Sequence, residues 1–209
     1  QWLLKGKEDR FARCLFALAG LGTSGLRDRL TIDDRSVLRY VGLLGQRPRS
    51  AESLERCLRD YFDVPVRVKQ FVGAWLNLEE ADWTTIGVTG SNNLLGHSAL
   101  AGTKIWDQQA GFKVELGPLE FGQFNRLLPS GRAYPTLVQL TKLFAGPELD
   151  FDVQLLLQAD EVPATRLEST ESYAPRLGWT TWLKTKQFER HADEVRFSGS
   201  TMTAQAATA

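Results

Sequence analysis

The chain has 209 residues, with 25 Lys+Arg balanced by 25 Asp+Glu, so its formal net charge is zero. Its 43% hydrophobic content is enough to bury the core of one large domain or two small ones. The charge balance argues against a nucleic-acid binder, which carries a basic excess or stripe, and no run reaches the ~18 apolar residues of a membrane span.

No signal peptide is visible. The only methionine is Met202 and the chain opens on Gln1, so it reads as part of a longer protein. Near-zero net charge leaves weak self-repulsion, which suits a life inside an assembly. The two cysteines, Cys14 and Cys57, both fall in helical apolar patterns and read as buried thiols rather than a disulfide.

Taken in order, Phe11, Cys14, Leu15, Leu18 and Ala19 recur at helical intervals, predicting a helix over Lys7–Ala19 with that face buried. Gly20-Leu21-Gly22-Thr23-Ser24-Gly25 spells a dinucleotide fingerprint, but a helical pattern precedes it where a strand is required, so it reads as a glycine-rich turn. Asp33 or Asp34 caps a second helix through Leu44, with Val37, Leu38, Val41 and Leu44 as its stripe. Ser50 caps a third, through Phe62, which Asp63 and Pro65 stop. Val64–Leu78 reads as a strand bent near Gly73.

A long polar stretch follows, Glu79–Leu94, interrupted only by Trp83 and Ile86; loops of that length are uncommon in compact domains and are functional or disordered. Gly102–Trp106 and Phe112–Leu116 are expected to pair as a hairpin around Asp107–Gly111. Leu119–Leu128 is a short amphipathic helix and Tyr134–Phe144 a further one, ended by Gly146 and Pro147. Glu148–Gln158 alternates as a strand, Ala159–Arg176 is a second long loop, and strands are expected over Leu177–Lys184 and Glu194–Phe197. Ser198–Ala209 shows no periodicity and is expected to be disordered.

A repeat runs through this order. Phe62 and Phe144 stand 82 positions apart, and the same offset places Leu58 on Leu140, Pro65 on Pro147, Leu95 on Leu177 and Gly96 on Gly178. Internal repetition fixes an architecture before any local reading does. The fold expected is α+β: a duplicated helix–strand–long loop–strand–strand unit preceded by two helices. Its parts are an N-terminal helical segment (1–49), a first repeat (50–118), a connecting helix (119–132), a second repeat (133–199) and a tail (200–209).

Catalytic and metal chemistry find little to stand on. His97 and His191 are the only histidines, and neither has partners at metal-ligand spacing. Asp33-Asp34, Glu79-Glu80 and Asp160-Glu161 are adjacent carboxylates, which point apart on a strand rather than converge. There is no serine elbow and no phosphate loop. No cofactor is expected. Trp75, Trp106, Trp179 and Trp182 are read as core or subunit contacts, whereas Trp83 lies in a loop, where a large ring needs something to cover it.

Three stretches, RPRSAESLERCLRDYFDVPVRVKQFVGAWLNL, NNLLGHSALAGTKIWDQQAGFKVELGPL, and DEVPATRL with LGWTTWL, resemble the TssG family, a baseplate subunit of the bacterial type VI secretion system. The likeness runs from about Phe11 to about Gly199 and is most specific over Leu95–Leu119. It implies a non-enzymatic, cytoplasmic structural protein, with more chain ahead of Gln1 in family members. In the family, one TssG and two copies of TssF form the centre of a baseplate wedge. Two TssG loops each grip a TssK trimer, which tethers the baseplate to the inner-membrane complex; sheath and tube assemble on that platform, with TssE among the other baseplate partners.

Neither nucleic-acid binding nor direct membrane insertion is expected. Two long loops on a repeated unit match two arms for two copies of one partner. Glu79–Leu94 and Ala159–Arg176 are therefore the expected TssK-gripping arms, with Trp83, Ile86, Val162, Pro163 and Leu167 as anchors. The N-terminal stripes, through Phe11, Leu15, Leu18, Val37 and Val41, are candidates for packing on TssF. A competing reading is a carbohydrate- or peptide-binding β module that uses loop tryptophans as platforms.

Overall fold

The computed structural model describes residues 10–27, 29–87, 89–109, 111–165 and 175–199. It is a mixed α+β fold. Among the described residues, six α-helices (α1 Arg10–Leu18, α2 Asp34–Leu38, α3 Val41–Leu44, α4 Ala51–Phe62, α5 Phe121–Leu127, α6 Tyr134–Ala145) accompany six strands (β1 Val66–Gln70, β2 Ala74–Asn77, β3 Lys104–Asp107, β4 Gly111–Leu119, β5 Asp150–Leu157, β6 Ala192–Ser198).

Four strands form one sheet in the order β1-β4-β5-β6. β1 and β4 are antiparallel, β4 and β5 parallel, and β5 and β6 antiparallel. The parallel step requires a crossover, and α5 and α6 supply it. The buried face alternates as the pleat demands: Val114, Leu116, Val153, Leu155 and Leu157 are wholly buried. They share one core with Leu54, Cys57 and Leu58 of α4, Phe124 of α5, and Leu137, Leu140 and Phe144 of α6.

Local chemistry explains the helices that form as expected. The Ser50 hydroxyl accepts the Ser53 amide at 3.2 Å, capping α4. Asp63, left-handed at φ 52°, ends it with its amide on the Arg59 carbonyl. At the end of α6, the Arg49 guanidinium donates to the carbonyl oxygens of Leu143 (2.9 Å) and Phe144 (2.5 Å), satisfying groups that the helix leaves open. Gly117 sits at φ +134°, where the Leu156 carbonyl leaves no room for a Cβ.

Several elements differ from expectation. The second helix is two: α2 and α3 break at Arg39–Tyr40, and the Tyr40 hydroxyl turns to Asp60 at 2.7 Å. β3 and β4 do not pair as a hairpin. β3 pairs with β2, and β4 with β1, because the two halves of one long ribbon bend together; the Val72 amide on the Gly111 carbonyl (3.0 Å) carries pairing across the bend. Leu177–Lys184 is not a strand: a turn over 177–180 places Gly178 at φ +79°. The second unit therefore has a single strand after its excursion.

Cys14 is exposed rather than buried. α1 directs Phe16 into the core, and Ala19 just past its end is buried as well, so its inward face lies to one side of the stripe expected. Val37 and Val41 are core residues as well, which ties the N-terminal helices to the same interior as the sheet.

Candidate functional site: two excursions and an open helix face

The helix–strand–excursion–strand order occurs twice, as α4-β1…β4 and α6-β5…β6. The first excursion, residues 71–110, precedes β4; the second, residues 158–191, follows β5. Because β4 and β5 are parallel, the two excursions leave opposite ends of the sheet.

The first rises on the β2–β3 ribbon. Trp75 and Trp106 face each other across it, edge to face at 5.3 Å and 64°, and are 64% and 53% exposed. Beyond the ribbon the loop is held by its own polar groups. Thr85 and Ser91 exchange backbone and hydroxyl hydrogen bonds, the Asn92 amide donates to the Ala81 carbonyl at 2.9 Å, and the Leu100 amide donates to the Thr84 hydroxyl at 2.8 Å. Such side-chain-to-backbone bonds shape a loop without a core. Trp83 is half-buried and its indole donates to the Leu78 carbonyl at 3.1 Å, so this ring belongs to the loop's own structure. Ile86 is 97% exposed.

The second excursion lies closer to the body. Val162 is buried, its carbonyl accepting from Lys184 Nζ at 2.7 Å, and this corrects its expected role as an exposed anchor. Pro163 is half-buried; Leu167 lies outside the described residues. Trp182 is buried against Phe124, with centroids 5.8 Å apart, and Trp179 meets Phe197 edge to face at 5.3 Å. Leu177 and Leu183 are nevertheless 95% and 96% exposed, and Leu95 of the first excursion is 96%.

Leu95, Leu177 and Leu183 are not among the expected anchors: Leu95 falls just outside the loop expected over Glu79–Leu94, and Leu177 and Leu183 fall in the strand expected over Leu177–Lys184, where Gly178 instead turns the chain.

At the other end of the chain, Phe11 and Leu18 of α1 are 60% and 62% exposed, one helical face apart from the buried Phe16. Leu15 is half-buried and packs on the core. Val37 and Val41 cannot reach a partner from inside the core.

Among the described residues no group of His, Cys, Asp and Glu could hold a metal ion. His191 accepts the Ala159 amide at 3.3 Å, and Asp33 caps α2 through the Arg35 amide at 3.0 Å. The edge-to-face ribbon tryptophans do not make the flat platform that sugar stacking uses. What the geometry offers is large aliphatic and aromatic groups held out by short, hydrogen-bonded turns: the equipment of a protein that other proteins grasp.

A family model described as "Type VI secretion, TssG" matches residues 3–184, and the chain belongs to the TssG family. Its fold is similar to a chain in a solved type VI secretion TssK-TssF-TssG baseplate subcomplex: 22% identity, TM-score 0.73, 92% of this chain and 80% of that one. It is also similar to a chain in a type VI secretion baseplate complex, at 21% identity and TM-score 0.63, spanning 92% of this chain and 54% of that one. No curated protein matches.

Proposed function

We propose that this chain is a non-enzymatic scaffold of the type VI secretion baseplate wedge, joining a pair of TssF subunits to TssK trimers on a platform from which sheath and tube assemble. The excursions are its TssK-holding arms, and α1 with its exposed Phe11 and Leu18 faces TssF. TssE and the inner-membrane complex are further neighbours of this cytoplasmic assembly.

The observation carrying the reading is where, among the described residues, the nearly fully exposed aliphatic side chains sit. Ile86, Leu95, Leu177 and Leu183 are all in the two excursions, where solvent exposure of such groups is unfavourable until a partner covers them. The chain is co-expressed with TssF and TssK, with residues 84–98 and 166–178 each replaced by a short Gly-Ser linker. Either replacement removes one TssK trimer, both remove all TssK, and TssF still co-purifies. TssK retained after both replacements overturns the reading.

A further inference from the structure

The two excursions share one small structure. In the first, the amides of His97 and Ser98 both donate to the Leu94 carbonyl, at 3.1 and 3.0 Å. In the second, the amides of Trp179 and Thr180 both donate to the Arg176 carbonyl, at 3.0 and 2.9 Å. Each of these positions is 82 residues from its counterpart. Gly96 and Gly178 occupy the second place in their turns at φ 77° and 79°, a left-handed conformation that glycine adopts without steric cost. The residue before each glycine is a leucine pushed almost wholly into water.

The surrounding chain does not explain this likeness. At the same offset Val114, buried, falls on Arg196, exposed; Leu116, buried, falls on Ser198, exposed. The strands have exchanged faces while the turns have kept two amide bonds in common and the same side chain. The neighbours within the turns differ too: His97 is exposed, whereas Trp179 packs on Phe197, and the Leu94 carbonyl also accepts the Ala99 amide at 3.0 Å where the Arg176 carbonyl accepts the Thr181 hydroxyl at 3.3 Å. Only the leucine, the glycine and the paired amide bonds are common to both.

We infer that the turns Leu95–Ser98 and Leu177–Thr180 are one docking knob presented twice, each leucine seating in the same apolar pocket on one of two copies of a single partner. Two copies, rather than one partner engaging both knobs, fit excursions that leave opposite ends of the sheet. The inference rests on the excursions being partner-holding arms, in which case the partner is TssK. The pocket it requires is a concave aliphatic or aromatic site of leucine size, the kind that makes an anchor of a single residue.

The test uses the co-expressed complex with TssF and TssK, weighed by native mass spectrometry and titrated with TssK. Leu95→Asp and Leu177→Asp each weaken one of the two TssK sites by about 30-fold or more, the loss expected for an anchor residue; the double variant loses both. TssF retention and an unchanged melting temperature show that the fold is intact, and Leu→Ala at each position repeats the effect without an added charge. An effect from only one leucine overturns the shared-knob inference. So does full TssK binding by the double variant, and the linker replacements then separate the two claims. If they abolish TssK binding, the arms stand and the knob alone fails; if they do not, both fail.

Discussion

The carboxylate of Glu55 accepts the backbone amide of Val68 at 2.8 Å. On the same edge, Arg59 donates to the Val66 carbonyl at 3.2 Å. β1 turns its odd-numbered residues toward β4, as the Gly117 amide on the Pro65 carbonyl shows, so the groups of Val66 and Val68 point away from the sheet. α4 thus covers the unpaired rim of an edge strand, which would otherwise invite pairing with another chain. In the second unit the positions 82 residues on are Leu137 and Thr141, both fully buried; there β5 has β4 beside it, and no such cover is needed.

Glu55→Ala should therefore cost about 1–2 kcal/mol, the price of a part-buried amide left without its acceptor, and should increase self-association through β1. Urea denaturation and light scattering measure the two effects. A variant as stable and as monodisperse as the parent would show that water satisfies the edge equally well.

Glu115 makes stability depend on acid. Burial works to raise its pKa, but Lys69 at 2.7 Å and Lys113 at 3.1 Å outweigh burial and hold it below the ordinary range. A depressed carboxylate stabilises the fold above its unfolded pKa of about 4.3, and that stability is lost as pH falls through the lower folded value. Asp152 runs the other way: partial desolvation raises its pKa, but the residue stays exposed at the surface, so its charged form costs only a little stability at neutral pH. Glu115→Gln should be less stable than the parent at about pH 7 and converge with it in strong acid, whereas Asp152→Asn should be more stable at about pH 7, an advantage that fades in acid. Urea melts across that range give both signs.

The two thiols should separate cleanly. Cys14 is exposed, while Cys57 is buried and burial pushes its pKa up to about 12. The thiolate is the reacting form. A thiol reagent near neutral pH should modify Cys14 in the native protein, and Cys57 only after denaturant is added. Equal rates for both in the native state would contradict the packing around α4.

The face of α1 can be tested apart from the core beneath it. Phe11→Asp with Leu18→Asp alters side chains that are mostly in water, so stability should change little, within about 0.5 kcal/mol for each, while TssF no longer co-purifies. Val37→Ala, in the core, should cost on the order of 2 kcal/mol and leave TssF binding intact in whatever remains folded. Retention of TssF by the α1 variant would place its contact elsewhere.

Helices whose ends carry their own chemistry were readable from the residues alone. Ser50, Asp63 and Pro65 bound α4, and Gly146 and Pro147 bound α6, as the spacing predicts. Where the outcome depended on distant parts of the chain, pattern misled. Val37, Leu38, Val41 and Leu44 form a continuous helical stripe, yet Tyr40 turns to Asp60 and the helix breaks. The stripe expected on α1, Phe11, Cys14, Leu15, Leu18 and Ala19, pointed the helix wrongly: Phe16 meets the core while Phe11, Cys14 and Leu18 face out. The likeness at the 82-residue offset holds at the two turns and is lost in the strands, where Val114 over Arg196 and Leu116 over Ser198 set a buried residue on an exposed one. Of the anchors expected, Ile86 stands free, whereas Trp83 and Val162 were claimed by their own loops; no local pattern distinguishes a ring or methyl group that folds back from one that reaches out.

The parallel step from β4 to β5 also sets a distance. β4 is nine residues long, which at about 3.3 Å per residue separates the roots of the excursions by roughly 30 Å. The strands thus serve as a ruler: the gap between the two roots is written in backbone hydrogen bonds rather than in a flexible tether.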